Sequence, residues 1–143
     1  MNRQELARQL IVHEGLKLYP YRCSANKLTI GVGRNIEERG IAEDEALYLL
    51  NNDIDLSIKE LTNEFAWFEK ISETRQAAFI DLHFNMGMNR LLGIKKTLSL
   101  VERAVEGDAS WQDVAHELLD SRWSEQVGSR AHVIADMIAL GDL

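Results

Sequence analysis

A chain of 143 residues with 45% hydrophobic side chains and one proline is expected to form a single, mostly helical folding unit with a real core. Its lone cysteine excludes an intramolecular disulfide. No apolar run approaches the ~18 residues that read as a membrane span. A net charge of −7 without basic stripes argues against nucleic-acid binding.

In chain order, the first expected element is a helix over residues 3–14. Leu6, Ala7, Leu10 and Ile11 recur at helical spacing, and Glu14 extends that stripe one turn beyond Leu10. Gly15 follows, the residue expected just past a helix end. The pattern places a carboxyl group on the inward face at a helix C-terminus. Burial and the helix dipole both disfavour its charged form there. A carboxyl held partly protonated is what a general acid needs. The N-terminal segment MNRQELARQLIVHEG is amphipathic and has no apolar signal core, so the expected place of synthesis and retention is the cytoplasm.

A β-hairpin is expected next. Leu28, Ile30 and Val32 alternate with Thr29, Gly31 and Gly33, which predicts an apolar face and a face left open to a ligand. Tyr19, Tyr21 and Cys23 share a face of the preceding strand, and Ser24 to Lys27 form the turn. A polar loop over 35–40 leads to a long helix from about residue 42. Its apolar seam runs through Leu47, Leu50, Ile54, Ile58 and Leu61. Further helices are expected at 73–86, 95–106, 111–120 and 129–140, with a cap before Trp111. The fold class is therefore α+β and mostly helical. Trp67, Trp111 and Trp123 read as core residues. The four histidines are scattered with no HExxH or CxxC spacing, so no metal site and no cofactor is expected.

The segment HEGLKLYPYRCSANKLTIGVGR resembles the catalytic stretch of phage-type lysozymes, the endolysins of glycoside hydrolase family 24. Glu14, Cys23 and Thr29 match the spacing Glu-x8-Asp/Cys-x5-Thr, with Cys23 as the less common variant at the middle position. The similarity continues in RQAAFIDLHFNMG (75–87) and SRWSEQVGSRA (121–131), so it covers most of the chain. It implies a lysozyme-like fold in one domain, 1–143. A hairpin lobe would span about 15–40, an inter-lobe helix about 42–62 and a helical lobe about 63–143, with helix 1–14 packed on that lobe. It implies a substrate cleft and substrate-contacting roles for Asn35, Phe84, Asn85 and Thr97. Arg130 aligns with an arginine that pairs with the catalytic Glu.

The activity implied is hydrolysis of the β-1,4 bond between N-acetylmuramic acid and N-acetylglucosamine in peptidoglycan, leading to lysis of the host cell. Glu14 would be the acid. Cys23 would be either a nucleophile or, with Thr29, the group that positions a water. The expected partners are glycan strands and a separate holin, with no stable membrane insertion and a monomeric state. A lytic transglycosylase, a cysteine peptidase and a non-catalytic wall-binding module are the alternatives. Residues 1–36 carry six basic and two acidic groups, and residues 37–69 carry two basic and ten acidic. The acidity thus falls mainly outside the catalytic segment, which eases its conflict with an anionic wall.

Overall fold

A computed structural model describes residues 1–142. By contact, the chain divides into two units, Met1–Leu50 and Asn51–Leu143. The first holds helix α1 (Arg3–Glu14), strands β1 (Lys17–Arg22), β2 (Leu28–Gly31) and β3 (Arg34–Asn35), and the start of helix α2 (Glu43–Glu64). The division falls inside α2. The second unit holds the rest of α2, a 3₁₀ turn (Phe68–Lys70), α3 (Glu73–Gly93), α4 (Lys95–Val105), α5 (Trp111–Leu119), α6 (Arg122–Val127) and α7 (Ser129–Leu140). Seven α-helices and one small antiparallel sheet among the described residues make the expected lysozyme-like α+β fold.

Most helix boundaries follow the sequence signals. Asn2 caps α1 by accepting from the Glu5 N–H, Ser72 caps α3, and Ser110 with Asp113 forms a capping box at α5. Three elements were not expected, the 3₁₀ turn among them. Helix α6 is only six residues long, too short to show a period, and β3 is a two-residue strand. Helix α3 was expected to stop at residue 86. It breaks there, at Gly87 with φ +74°, and then resumes to Gly93.

The sheet corrects one reading of the hairpin. Thr29, expected on the open face, is only 3% exposed, while Val32, expected on the apolar face, is exposed. The cause is the turn. Gly31 and Gly33 both take positive φ, which sends the chain back as β3, so β2 becomes the central strand. Thr29 then lies between Tyr21 of β1 and Asn35 of β3. Pro20 within β1 has no N–H to donate, and the β1–β2 register is irregular between Lys17 and Tyr21.

The apolar core belongs to the second unit. Leu61, Phe68, Phe79, Leu82, Leu91, Val101, Val114, Leu118, Ile134 and Ile138 are all buried. Trp67 and Trp123 join them as expected, and Trp111 packs at the edge. Two polar devices brace this core. Ser57 on α2 hydrogen-bonds His83 Nδ1 on α3, whose Nε2 lies 2.9 Å from Glu60. At the other end of α3, Arg75 reaches the C-terminus of α7. Its Nε donates to Ile138 O at 2.7 Å and its Nη2 to Ala139 O at 3.3 Å, while the guanidinium stacks 4.3 Å from the Trp111 ring. A cation there satisfies carbonyls that a helix end leaves without partners. Burial pulls the Arg75 pKa below its usual value, an effect Asp142 partly offsets.

Arg75→Ala should therefore lower the unfolding free energy by about 2 kcal/mol or more, since hydrogen bonds from a charged donor carry roughly 1.5–3 kcal/mol each. Arg75→Lys, a point charge without the planar fork, should recover only part of it. Denaturant melts of the two variants measure both.

Candidate active site

Glu14 is the last residue of α1, and the chain leaves the helix at Gly15 with φ +81°. The carboxyl is not buried as the stripe implied. No residue of α1 is buried, and Leu10 and Ile11 instead line, with Glu14, a cavity of about 370 Å³. The opposite wall is Val32 and Gly33 of the β2–β3 turn. Gly33 is what admits the carboxylate. A Cβ built there would stand 2.9 Å from Glu14 Oε2 and 3.1 Å from its Cδ. Any side chain at position 33 would displace the acid.

Cys23 and Thr29 sit at the other end of β2. Cys23 opens the β1–β2 turn, where its N–H donates to Lys27 O and its carbonyl accepts from Asn26. The sulfur is half-buried. Its pKa lies below that of an ordinary thiol, because the Lys27 backbone N–H, the Thr29 hydroxyl and the Ala25 backbone N–H favour the thiolate. Thr29 Oγ1 also lies 2.9 Å from Lys27 O. One hydroxyl proton cannot serve both acceptors at once. In the structure it is directed to the Lys27 carbonyl.

Asn35 faces Thr29 across the β2–β3 ladder. Its Oδ1 accepts from the Glu38 N–H at 3.0 Å, so its side chain shapes the turn that follows. The preceding residue, Arg34, was not singled out from sequence. It makes a two-pronged ion pair with Glu45 in the first turn of α2, with contacts of 2.9 and 2.8 Å. The pair lowers the Glu45 pKa and raises that of Arg34. Beside it lies a larger cavity of about 680 Å³ with walls of Ile30, Val32, Ile41, Tyr48 and Leu49. Glu14 lines the smaller one, and Cys23 and Thr29 line neither.

Four expected substrate-binding residues belong to the second unit. Phe84 is exposed, as a sugar-contacting ring would have to be. Asn85 Oδ1 accepts a hydrogen bond from the Trp123 indole, a structural tie that does not use its side-chain NH₂. Thr97 is 2% exposed, so its contact with a ligand is confined to the shallow cavity that it lines on α4. Within that unit the Arg130 guanidinium pairs with Asp81 of α3, with Nε 2.9 Å from Oδ1. Asp81 lies one turn before Asn85 on α3, a spacing that carries no signal until α7 is placed against it.

A carboxyl group at a helix end, with a thiol–hydroxyl pair on a short hairpin, makes up the candidate site. The chain belongs to the phage lysozyme family, which it matches over residues 12–136, and it is a lysozyme-like peptidoglycan hydrolase. Among its relatives are two Dictyostelium discoideum proteins. Probable T4-type lysozyme 1 is 26% identical over 161 residues, and probable T4-type lysozyme 2 is 23% identical over 159. In each case the match covers 91% of both chains.

Two outcomes follow from this geometry. Gly31 and Gly33 share a positive φ, but a Cβ at 31 meets nothing within 4 Å. Gly31→Ala should therefore cost about 1 kcal/mol of stability and leave the wall-clearing rate per folded molecule near wild type. Gly33→Ala should cut that rate about tenfold or more, because it moves the acid. Separately, the rate of Cys23 alkylation should rise with pH about a midpoint below the ordinary thiol value of 9.0. Thr29→Val, which removes a donor to the thiolate, should move that midpoint upward.

Proposed function

We propose that the protein is an N-acetylmuramidase that hydrolyses the β-1,4 bond between N-acetylmuramic acid and N-acetylglucosamine. The observation that carries this reading is the seat of Glu14 against the side-chain-free backbone of Gly33. A carboxyl group with space around it, in a cavity, can reach a glycosidic oxygen. In the reaction, Glu14 gives its proton to the leaving oxygen as the bond to the anomeric carbon breaks. A water adds to that carbon from the opposite face and loses its proton to the Cys23 thiolate. Thr29 turns its hydroxyl between sulfur and the Lys27 carbonyl as that charge appears and disappears. The outcome is inversion, with one water consumed per bond.

The lowered pKa of Cys23 supports the base role, since a larger thiolate fraction is present near neutral pH than in a free thiol. Phe84 and Asn85 keep the substrate-binding role that the family implies. In this reading the enzyme is a monomer that serves host-cell lysis. It is made in the bacterial cytoplasm and reaches the wall when a separate holin opens the inner membrane. No helix among the described residues is long and apolar enough to cross a membrane, which fits the need for such a partner.

Glu14→Gln should stay folded and lose about 10²–10⁴-fold in rate, the usual worth of acid–base assistance. Cys23→Asp should keep substantial activity and Cys23→Ala should fall by a comparable factor. The stereochemical test is decisive for Cys23. NMR of the first product should show an inverted anomeric centre, and clean retention would replace the water-positioning role with a glycosyl-thiol intermediate. Mass spectrometry of wall fragments should show one added water per cut. Anhydro products would make the protein a transglycosylase instead.

A further inference from the structure

Glu14 is seated with little tolerance. A Cβ at position 33 would stand 3.3 Å from Glu14 Cγ and 2.9 Å from Oε2, so a small shift of the Gly33 backbone moves the carboxyl. Chemistry at a glycosidic oxygen needs such a group held to within about 0.5 Å. The β2–β3 turn is poorly equipped to hold it alone. Gly31 and Gly33 both take positive φ, and glycine has the least restricted backbone of any residue. Strand β3 is two residues long and pairs with β2 through Thr29–Asn35 and Ile30–Arg34. Among the described residues no apolar side chain of this unit is buried, so no core steadies the turn.

The residue after Gly33 supplies what the backbone lacks. Arg34 Nη2 lies 2.8 Å from Glu45 Oε2, and its Nη1 donates to Glu45 Oε1 at 2.9 Å and to Gly40 O at 3.2 Å. Glu45 is itself fixed, because its Oε1 also accepts from the Ala42 N–H at 2.9 Å. One side chain thus ties the turn to the loop end at Gly40 and to the first turn of α2. The Arg34 side chain is 21% exposed, against 55%, 53% and 43% for Arg22, Arg103 and Arg130 in the other arginine ion pairs among the described residues. Water therefore screens it least of the four. Hydrogen bonds from Arg34 and the Ala42 N–H, with the nearby charge of Arg39, hold the Glu45 pKa below its ordinary value. The pair is intact at neutral pH.

We infer that Arg34 and Glu45 are positioning residues for the reaction, their ion pair holding the β2–β3 turn where Gly33 stands against Glu14. Neither lines the cavity of Glu14, so each acts through Gly33 and not on the reacting atoms. The inference rests on the reading of Glu14 as the acid and adds to it the device that sets the acid's place. Without the pair the acid is present but misplaced. Misplacement lowers the turnover of bound substrate more than it lowers binding.

The test uses the full-length protein and soluble peptidoglycan fragments. Arg34→Gln should lower kcat about tenfold or more while KM stays within about twofold. Arg34→Lys keeps the charge without the fork and should recover part of that loss. Glu45→Gln, which can still accept from the Ala42 N–H, removes the pair from the α2 side and should reproduce the kcat loss if Arg34→Gln folds poorly. Arg22→Gln breaks an ion pair at the far end of the same hairpin and should leave kcat unchanged. Gly33→Ala already displaces the acid, so Arg34→Gln should cost little further in that background. Two losses that multiply, or a kcat loss no greater than that of Arg22→Gln, overturn the inference. The seat is also read without turnover. In the wild type an NOE should join the Glu14 Hγ protons to Gly33 Hα, and it should be lost in Arg34→Gln and kept in Arg22→Gln. Its persistence in Arg34→Gln overturns the inference as well. Full activity of Glu14→Gln would defeat the acid reading, while the NOE still decides whether the pair holds the turn.

Discussion

The candidate site of this molecule depends on a methyl group that is missing. Glu14 occupies space that a Cβ at position 33 would take, so the acid and the turn are a single constraint. The same turn uses the positive φ of Gly31 and Gly33 to bring β3 back along β2. That return makes β2 a central strand and buries Thr29 beside the Cys23 turn. It also delivers Arg34 to Glu45, fastening the hairpin to the first turn of α2 within one unit. A glycine chosen for a turn would tolerate replacement by asparagine. This one also has a carboxylate at its back.

Stability and chemistry are divided between the two units. Every buried apolar side chain among the described residues belongs to the second unit, and the one buried side chain of the first is Thr29. The first unit is held by its ladder, its turns and ion pairs rather than by a core. Such regions open locally at low cost, which is common where a substrate must enter. Each hydrogen bond there is shared between shape and function. Thr29 orders the hairpin through Lys27 and tunes Cys23 through the same hydroxyl.

Much of the helical framework was legible because its signals are local. Asn2, Ser72 and Ser110 mark helix starts, and the apolar period marks their inner faces. Glu14, Cys23 and Thr29 stand out as a spacing, and the fold seats Glu14 against the β2–β3 turn and Cys23 and Thr29 at the β1–β2 turn. What escaped depends on contacts distant in sequence. The alternation about Thr29 pointed the wrong way because a two-residue strand changed which face was covered. Asp81 became the partner of Arg130 through the approach of α7 to α3, which no period encodes. The chain Ser57–His83–Glu60 joins residues that look like ordinary helix surface until α2 and α3 are side by side. The stripe on α1 was read correctly as apolar, and it lines an open cavity where a packed core was expected.

Charge shows the same difference between order along the chain and order in space. The basic residues of the first 36 and the acidic residues after them look segregated in sequence. In the fold they meet. Glu37 takes Arg22 and Lys27, Glu38 takes Lys27, and Glu45 takes Arg34. Three of the six basic groups in the catalytic segment are thereby neutralised by the acidic segment that follows it. Glu43, Asp44 and Glu45 also stand in the first turn of α2, where the helix dipole favours negative charge. The excess acid thus has local structural work, and the hairpin is not a free positive surface for an anionic wall. Exposed pairs of this kind are screened by salt and individually weak. Long-range attraction between the hairpin and an anionic wall is correspondingly small, since the same pairs that fix the fold cancel the charge that would supply it.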